Sequence, residues 1–367
     1  MTWLSAKTKP PKFIKVNLDP SEMHNKNAPY ISGKLPQLST YQELALWLNL
    51  TQSDLAWFAD IKNWQAKTVE PKLQHYNYQW LTRPRKTPRL LETPKPCMKS
   101  IQRQILRQIL DKVTPHDAVH GFRKGRSCIT HAQQHTQKEA LLRMDIRDFF
   151  TSITQNRIYG LFYSLGYPKH ISSTLGALCT NTPNPDMLGD VYHTLSWKKQ
   201  KLITQPHLPQ GAPTSPALAN LCCWKLDKRL EGLAQKSNIT YSRYADDMAF
   251  SGGKNLYKSN MYFRKTIEQI VDEEGFLINH TKTFTKTKSQ QQSLVGIVVN
   301  EHPNISRREY DKIKAILHNC KTHGFDGQNQ DQHNNFQEFL RGKIAYINSI
   351  NPPKGEKLQN IYQKIQW

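Results

Sequence analysis

The chain has 367 residues, 37% of them hydrophobic, and 51 Lys and Arg stand against 29 Asp and Glu, for a formal charge of +22. This length supports one large core or two to three domains, and the positive charge spread along it points to a polyanionic partner. No apolar run approaches a membrane span and no signal-peptide core opens the chain. None of the six cysteines makes a Cys-x-x-Cys pair, so a zinc knuckle or redox motif is not indicated, no membrane contact is expected, and the cytoplasm is the expected location.

Residues 1–38 are polar and rich in Pro and Lys, which suits a flexible arm or an extended segment laid on another surface. Thr40 with Glu43 can form a capping box, and Leu44, Leu46, Trp47, Leu48 and Leu50 give the helix that follows an apolar face. Thr51–Asp54 starts a second short helix with Leu55, Trp57, Phe58 and Ile61. The pair has no basic recognition face, which favours ordinary packing over a helix-turn-helix. Tyr76–Lys99 is basic, with Arg83, Arg85, Lys86, Arg89, Lys95 and Lys99. Four prolines interrupt it, so strands and loops are expected there. Helical spacing returns over Ser100–Val113. The loop Val119–Ser127 is bounded by Gly121 and Gly125 and carries Arg123, Lys124 and Arg126. Backbone can approach a phosphate closely in such a loop, and guanidinium binds phosphate bidentately. His131 and His135 share a helix face at i, i+4, but Ala132 stands where a zinc-protease pattern needs Glu.

Leu141–Phe150 is an apolar run in which Asp145 closes a strand-like segment and Phe149-Phe150 follows. Residues 151–207 carry no sharp motif. Leu208–Pro216 then reads Leu-Pro-Gln-Gly-Ala-Pro-Thr-Ser-Pro, with a helix expected from about Ser215. Cys222 and Cys223 read as small core residues and Glu231–Asn238 as a polar turn region. Ile239–Tyr244 and Met248–Ser251 read as two strands flanking a tight turn that holds Asp246 and Asp247. Adjacent carboxylates repel, and a site that tolerates them supplies a cation, although Asp-Asp also suits a turn for conformational reasons alone. A helix over Tyr262–Glu273 stops at Gly275, and Leu277–Thr283 contains Lys282. After Asn300 the chain turns helical and basic. Tyr310, Ile313, Leu317 and Cys320 form one face, and Phe336, Leu340, Ile344 and Ile347 form another beyond a polar linker that reads as mobile.

In order and spacing, the Asp145 segment, the Gln210-Gly211 segment and Tyr244-Ala245-Asp246-Asp247 resemble the palm motifs of reverse transcriptases. The chain is similar to the retron type from about residue 40 to its end. Ala132-Gln133-Gln134-His135 matches an Asn-Ala-x-x-His block of retron enzymes with His131 in place of Asn. Leu294-Val295-Gly296 stands where those enzymes carry Val-Thr-Gly. The resemblance implies an α+β right-hand polymerase fold: an N-terminal arm and helical extension over residues 1–75, fingers and an antiparallel-sheet palm over 76–300, and a small helical thumb over 301–367. It implies RNA-directed DNA synthesis with two Mg²⁺ ions, Mn²⁺ being a possible substitute, bound by Asp145, Asp246, Asp247 and the carbonyl of Ile146. By the same resemblance Lys282 is the general acid, Arg123 and Arg126 contact the triphosphate, Phe150 is a steric gate against a ribose 2′-OH, and Gln210 and Gly211 lie along the nucleotide and template.

The implied partners are a cognate structured noncoding RNA and its RNA–DNA product, deoxynucleoside triphosphates, and an effector protein in phage defence. With little chain beyond the thumb-like part, a host ribonuclease H is expected to remove template RNA. A group II intron-like or other bacterial reverse transcriptase is the alternative, against which the short C-terminal part and unpaired cysteines argue. A non-catalytic RNA-binding scaffold of the same fold is a further alternative, against which the intact acids argue.

Overall fold

The computed structural model describes residues 31–65, 67–84, 86–258 and 260–367, so most of the expected N-terminal arm, residues 1–30, and Arg85 lie outside the described residues. The rest of that arm is laid on the body: the Ser32 amide donates to the Lys112 carbonyl at 2.7 Å, and Leu38 is buried. Helices Tyr41–Trp47 and Gln52–Phe58 follow, each opened by a complete capping box, Thr40 with Glu43 and Thr51 with Asp54. Leu44 and Leu55 anchor them in the main core.

Strands β1 (Tyr76–Arg83) and β2 (Lys86–Pro94) pair antiparallel as a separate ribbon. The next helix, Pro96–Gln108, begins earlier than expected. Pro96 occupies its first turn, where a missing N–H costs nothing, so residues 96–99 are helical rather than strand or loop. Residues 151–207 fold into helices Gln155–Ser164, Lys169–Cys179, Gly189–His193 and Trp197–Thr204.

The sheet that organises the molecule contains β3 (Ala140–Asp145), β4 (Thr240–Tyr244), β5 (Asp247–Gly252) and β6 (Phe284–Thr287), in the order β4-β5-β3-β6 with every neighbour antiparallel. Strand alternation sends Leu142, Met144, Met248 and Phe250 into the main helical core. Leu141 and Ala249 face a smaller core with Leu294, Ile297 and Val299. Both central strands are therefore covered on both faces, which explains their near-continuous apolar sequences.

Helix Trp224–Lys236 replaces much of the expected polar turn at Glu231–Asn238. Leu226, Asp227, Leu230 and Ala234 form its buried stripe, and the polar residues read as a turn are its outer face. The turn itself is only Ser237-Asn238, with Asn238 at φ 52°. Strands β7 (Ser293–Leu294) and β8 (Ile297–Val298) flank a two-residue turn in which Val295 has φ 43° and Gly296 φ 87°.

At the C-terminal end, helices Arg307–His323, Phe336–Ile350 and Pro352–Tyr362 enclose their own core around Leu317, Leu340, Ile344 and Leu358. The third helix was not foreseen, although Asn351 followed by Pro352-Pro353 is a start signal; the Asn351 side chain caps the Lys354 amide. A Cβ on Gly355 would lie 2.4 Å from Asn348, so only glycine lets these two helices touch.

Candidate active site

Antiparallel pairing of β3 with β5 sets Asp145 opposite Asp247 at one end of the sheet. The Ile146 amide donates to the Asp246 carbonyl at 2.8 Å, which brings the β4–β5 turn against the end of β3. Ala245 takes φ 57° in that turn. Asp145 thus meets the adjacent Asp246 and Asp247, distant from it in sequence, at one edge.

Each acid has a different electrostatic setting. Asp145 is buried and accepts from Lys282 Nζ at 2.8 and 3.0 Å and from Asn279 Nδ2 at 3.0 Å. Asp247 is buried and held by Arg143, whose Nε donates to Oδ1 at 2.6 Å and whose Nη2 lies 2.5 Å from Oδ2. Its pKa is raised to about 6: burial raises it most, Arg143 pulls it back, and the charges of Asp246 and Asp145 add to the rise. Asp246 is also raised, by burial first and then by the charge of Asp145, while Lys282 and Arg89 favour its ionised form. Mutual repulsion among hard oxygen donors is the setting that a divalent cation relieves, so these residues fit such an ion. Among the described residues no three His, Cys, Asp or Glu side chains form a ready metal cage. Lys282 and Arg143 occupy the charge-balancing positions instead.

The other expected residues gather around this edge to different degrees. Phe150 is half-buried, its ring 5.5 Å from Phe149 and 6.4 Å from Phe122, and Phe122 in turn lies 6.3 Å from Tyr244 of the turn. Arg123 is turned back on its own loop, donating to the His116 carbonyl and to Asp117 at 3.2 Å. Arg126 contacts His120 Nε2 at 3.1 Å. Gln210 and Gly211 pack on the ribbon: the Glu92 amide donates to the Gln210 carbonyl at 2.9 Å. Gly211 has φ 138°, and a Cβ there would lie 2.8 Å from the Glu92 carbonyl oxygen. Below them Glu92 is wholly buried and bonded to His207 and Asn181, both at 2.8 Å.

His131 and His135 meet hydroxyls on the sheet. His135 bonds Ser251 through Nδ1 and Ser242 through Nε2, both at 2.7 Å, and Ser242 also bonds His131 Nδ1 at 2.7 Å. Burial first, then neighbouring cationic groups, lowers His135 to about 3 and His120 to about 4, and holds His131 well below its usual range. The His131 and His135 rings support the β4–β5 hairpin in their neutral form, while the His120 ring bonds Thr130 and Arg126.

Sequence reading missed Arg143, Asn279 and the residues behind the turn. Arg143 had a usable signal, since it lies two residues before Asp145 and so on the same face of β3. Asn279 had none, because its role depends on the bridge between Ile146 and Ile278.

The family model described as reverse transcriptase (RNA-dependent DNA polymerase) matches residues 81–299. The chain is 32% identical over 339 residues to the retron Mx162 reverse transcriptase of Myxococcus xanthus, covering 88% of this chain and 66% of that one. It is 34% identical over 272 residues to the retron Mx65 reverse transcriptase of the same organism, covering 74% and 60%. The retron Ec86 reverse transcriptase of Escherichia coli is 33% identical over 284 residues, covering 77% and 78%. The chain thus spans less than two thirds of the length of the two Myxococcus relatives. The matched segment contains every expected site residue, and the acids it brings together stand at one sheet edge; the chain belongs to the reverse transcriptases of the retron type.

Proposed function

We propose that this protein copies part of a cognate structured noncoding RNA into single-stranded DNA that stays joined to that RNA, within a cytoplasmic antiphage system that includes an effector protein. Host ribonuclease H removes the copied template. Residues 1–75 form an N-terminal extension, 76–300 the fingers and palm, and 301–367 a thumb that grips the duplex. The observation that carries the reading is the convergence of Asp145, Asp246 and Asp247 at one sheet edge beside Lys282.

Asp145 and Asp246 hold the catalytic cations, with the carbonyl of Ile146 as a further ligand and Asp247 in support. Two Mg²⁺ ions, or Mn²⁺ in their place, would when bound there supply activation of the primer hydroxyl and charge stabilisation at the leaving oxygen. Arg123 leaves Asp117 and Arg126 leaves the His120 ring to bind the triphosphate, whose oxygens offer charge-assisted bidentate pairing to both guanidinium groups. Phe150 stands against the sugar and excludes a 2′-hydroxyl. Gln210 and Gly211 lie along the nucleotide and template, with Gly211 keeping the backbone close to the ribbon. Lys282 delivers a proton to the departing pyrophosphate.

Asp246→Asn tests the site. It is expected to abolish primer extension while RNA binding persists; normal extension would remove Asp246 from the chemistry. Sequencing of copurified nucleic acid tests the substrate. A single structured RNA carrying a short DNA through a ribonuclease-resistant branch is expected, and heterogeneous RNA without DNA would overturn the retron product.

A further inference from the structure

We propose that Asn220 and Arg243 are positioning residues that hold the cationic loop Gly121–Arg126 in register with the Tyr244–Asp247 turn. The inference rests on the active-site reading above. It concerns how the two halves of that site, the triphosphate-contact loop and the acids, are kept aligned.

Arg243 lies on β4 beside the turn and is wholly buried, as is its partner Asp227 on helix Trp224–Lys236. Its Nε donates to Asp227 Oδ1 at 2.7 Å and its Nη2 to Oδ2 at 2.6 Å. Tyr241, two residues back on the same face, also donates to Asp227 Oδ1, at 2.8 Å. This bidentate pair fixes the guanidinium plane. The remaining nitrogen is then aimed forward: Nη1 donates to the Ala245 carbonyl at 2.9 Å and to Asn220 Oδ1 at 3.3 Å. Ala245 is the positive-φ residue immediately before Asp246.

Asn220 carries the line onward. It is buried on helix Ser215–Cys222, and its Nδ2 donates to the Gly121 carbonyl at 2.8 Å. Gly121 opens the cationic loop and presses on the turn. A Cβ there would lie 2.7 Å from the Ala245 nitrogen. Main-chain bonds from His120 to Arg243 and from Arg243 to Ala118, both 2.8 Å, already pair these segments one step back. What Arg243 and Asn220 add is control of the two tips, Ala245 on one side and Gly121 on the other. An amide is suited to the junction because it accepts from the guanidinium and donates to the carbonyl at once.

The test separates those two bonds. Asn220→Asp keeps the acceptor for Arg243 and loses the donor to Gly121, and Asn220→Ala loses both. Primer extension by the full chain is measured with Mg²⁺ and deoxynucleotides, with active sites counted from burst amplitude and thermal unfolding recorded in parallel. Both variants are expected to keep a near-normal nucleotide KM while kcat per active site falls about 10- to 100-fold, the effect of roughly an ångström of misplacement. A wild-type kcat per active site, with losses confined to burst amplitude or melting temperature, would overturn the proposal and leave Asn220 a stability residue. Asp246→Asn run alongside distinguishes the failures. If that variant still copies, the site reading is wrong. If it is inactive and Asn220→Asp turns over normally, only the positioning role is wrong.

Discussion

Two aspartate–cation pairs stand near the same turn, and water reaches them unequally. Asp227 and Arg243 are both 0% exposed, whereas in the Asp145–Lys282 pair the lysine side chain is 43% exposed. The buried pair has no alternative partner in solvent, so it works as a fixed part of the fold. The half-exposed pair can exchange its cation at modest cost, as the proposed entry of metal and nucleotide would require. Under the proposed function, burial separates a pair that would position the chemistry from one that would take part in it, although the two pairs have similar geometry.

The strongest way to break this contrast is Asp227→Asn. The amide is close in shape but leaves the Arg243 charge buried without its counter-charge. Loss of one partner of a buried pair costs about 3–5 kcal/mol, so the urea midpoint is expected to fall sharply. A midpoint like that of wild type would show that another group neutralises Arg243 and would dissolve the distinction.

The acids were legible in sequence and their supports were not. Asp145 ends and Asp247 begins a short apolar run, and Asp246 stands between two β-forming segments, a local pattern. Arg243 is in one of those segments, but a charged residue in a strand reads as facing solvent. Asp227, on the preceding helix, supplies the counter-charge that makes its burial tolerable, and that helix's polar outer face reads in sequence as a turn. The C-terminal helices were visible because their apolar stripes are long, except Pro352–Tyr362, whose sequence is mostly polar. His131 and His135 stood out by their i, i+4 spacing. Their partners Ser242 and Ser251 come from distant strands, so spacing alone could not distinguish a support from a ligand set.

The histidines give a second prediction, of intermediate size. In the unfolded chain they titrate near 6.5, whereas His135 titrates at about 3 and His120 at about 4 in the folded protein. A base with a depressed folded pKa takes up its proton on unfolding. Stability is therefore full above the unfolded value and declines as pH falls from there toward the folded values. Between pH 7.5 and 5.5 each of these two histidines is expected to remove about 1.4 kcal/mol. Denaturant unfolding at the two pH values measures it, and His135→Gln should flatten the decline by one histidine's share. Asp247, raised to about 6, shifts stability the other way over this range, so the variant decides: if His135→Gln leaves the pH dependence of wild type unchanged, the His135 ring is charged or exposed in the folded state.

The smallest effect belongs to the exchangeable pair. Lys282 Nζ covers both oxygens of Asp145, so an entering divalent cation competes with it for the same carboxylate. A half-exposed ion pair contributes at most about 1 kcal/mol, equivalent to about fivefold in affinity. Lys282→Gln is therefore expected to tighten Mn²⁺ binding by the nucleotide-free protein up to about fivefold, read from the electron paramagnetic resonance of free Mn²⁺. The same variant should slow nucleotide incorporation, because the lysine is no longer there for the leaving group. Opposite movement of the two readouts separates a displaced counter-ion from a residue that only stabilises the site. If Mn²⁺ binding weakens together with incorporation, Lys282 supports the metal site instead of competing for it, and the contrast with Arg243 loses its physical basis.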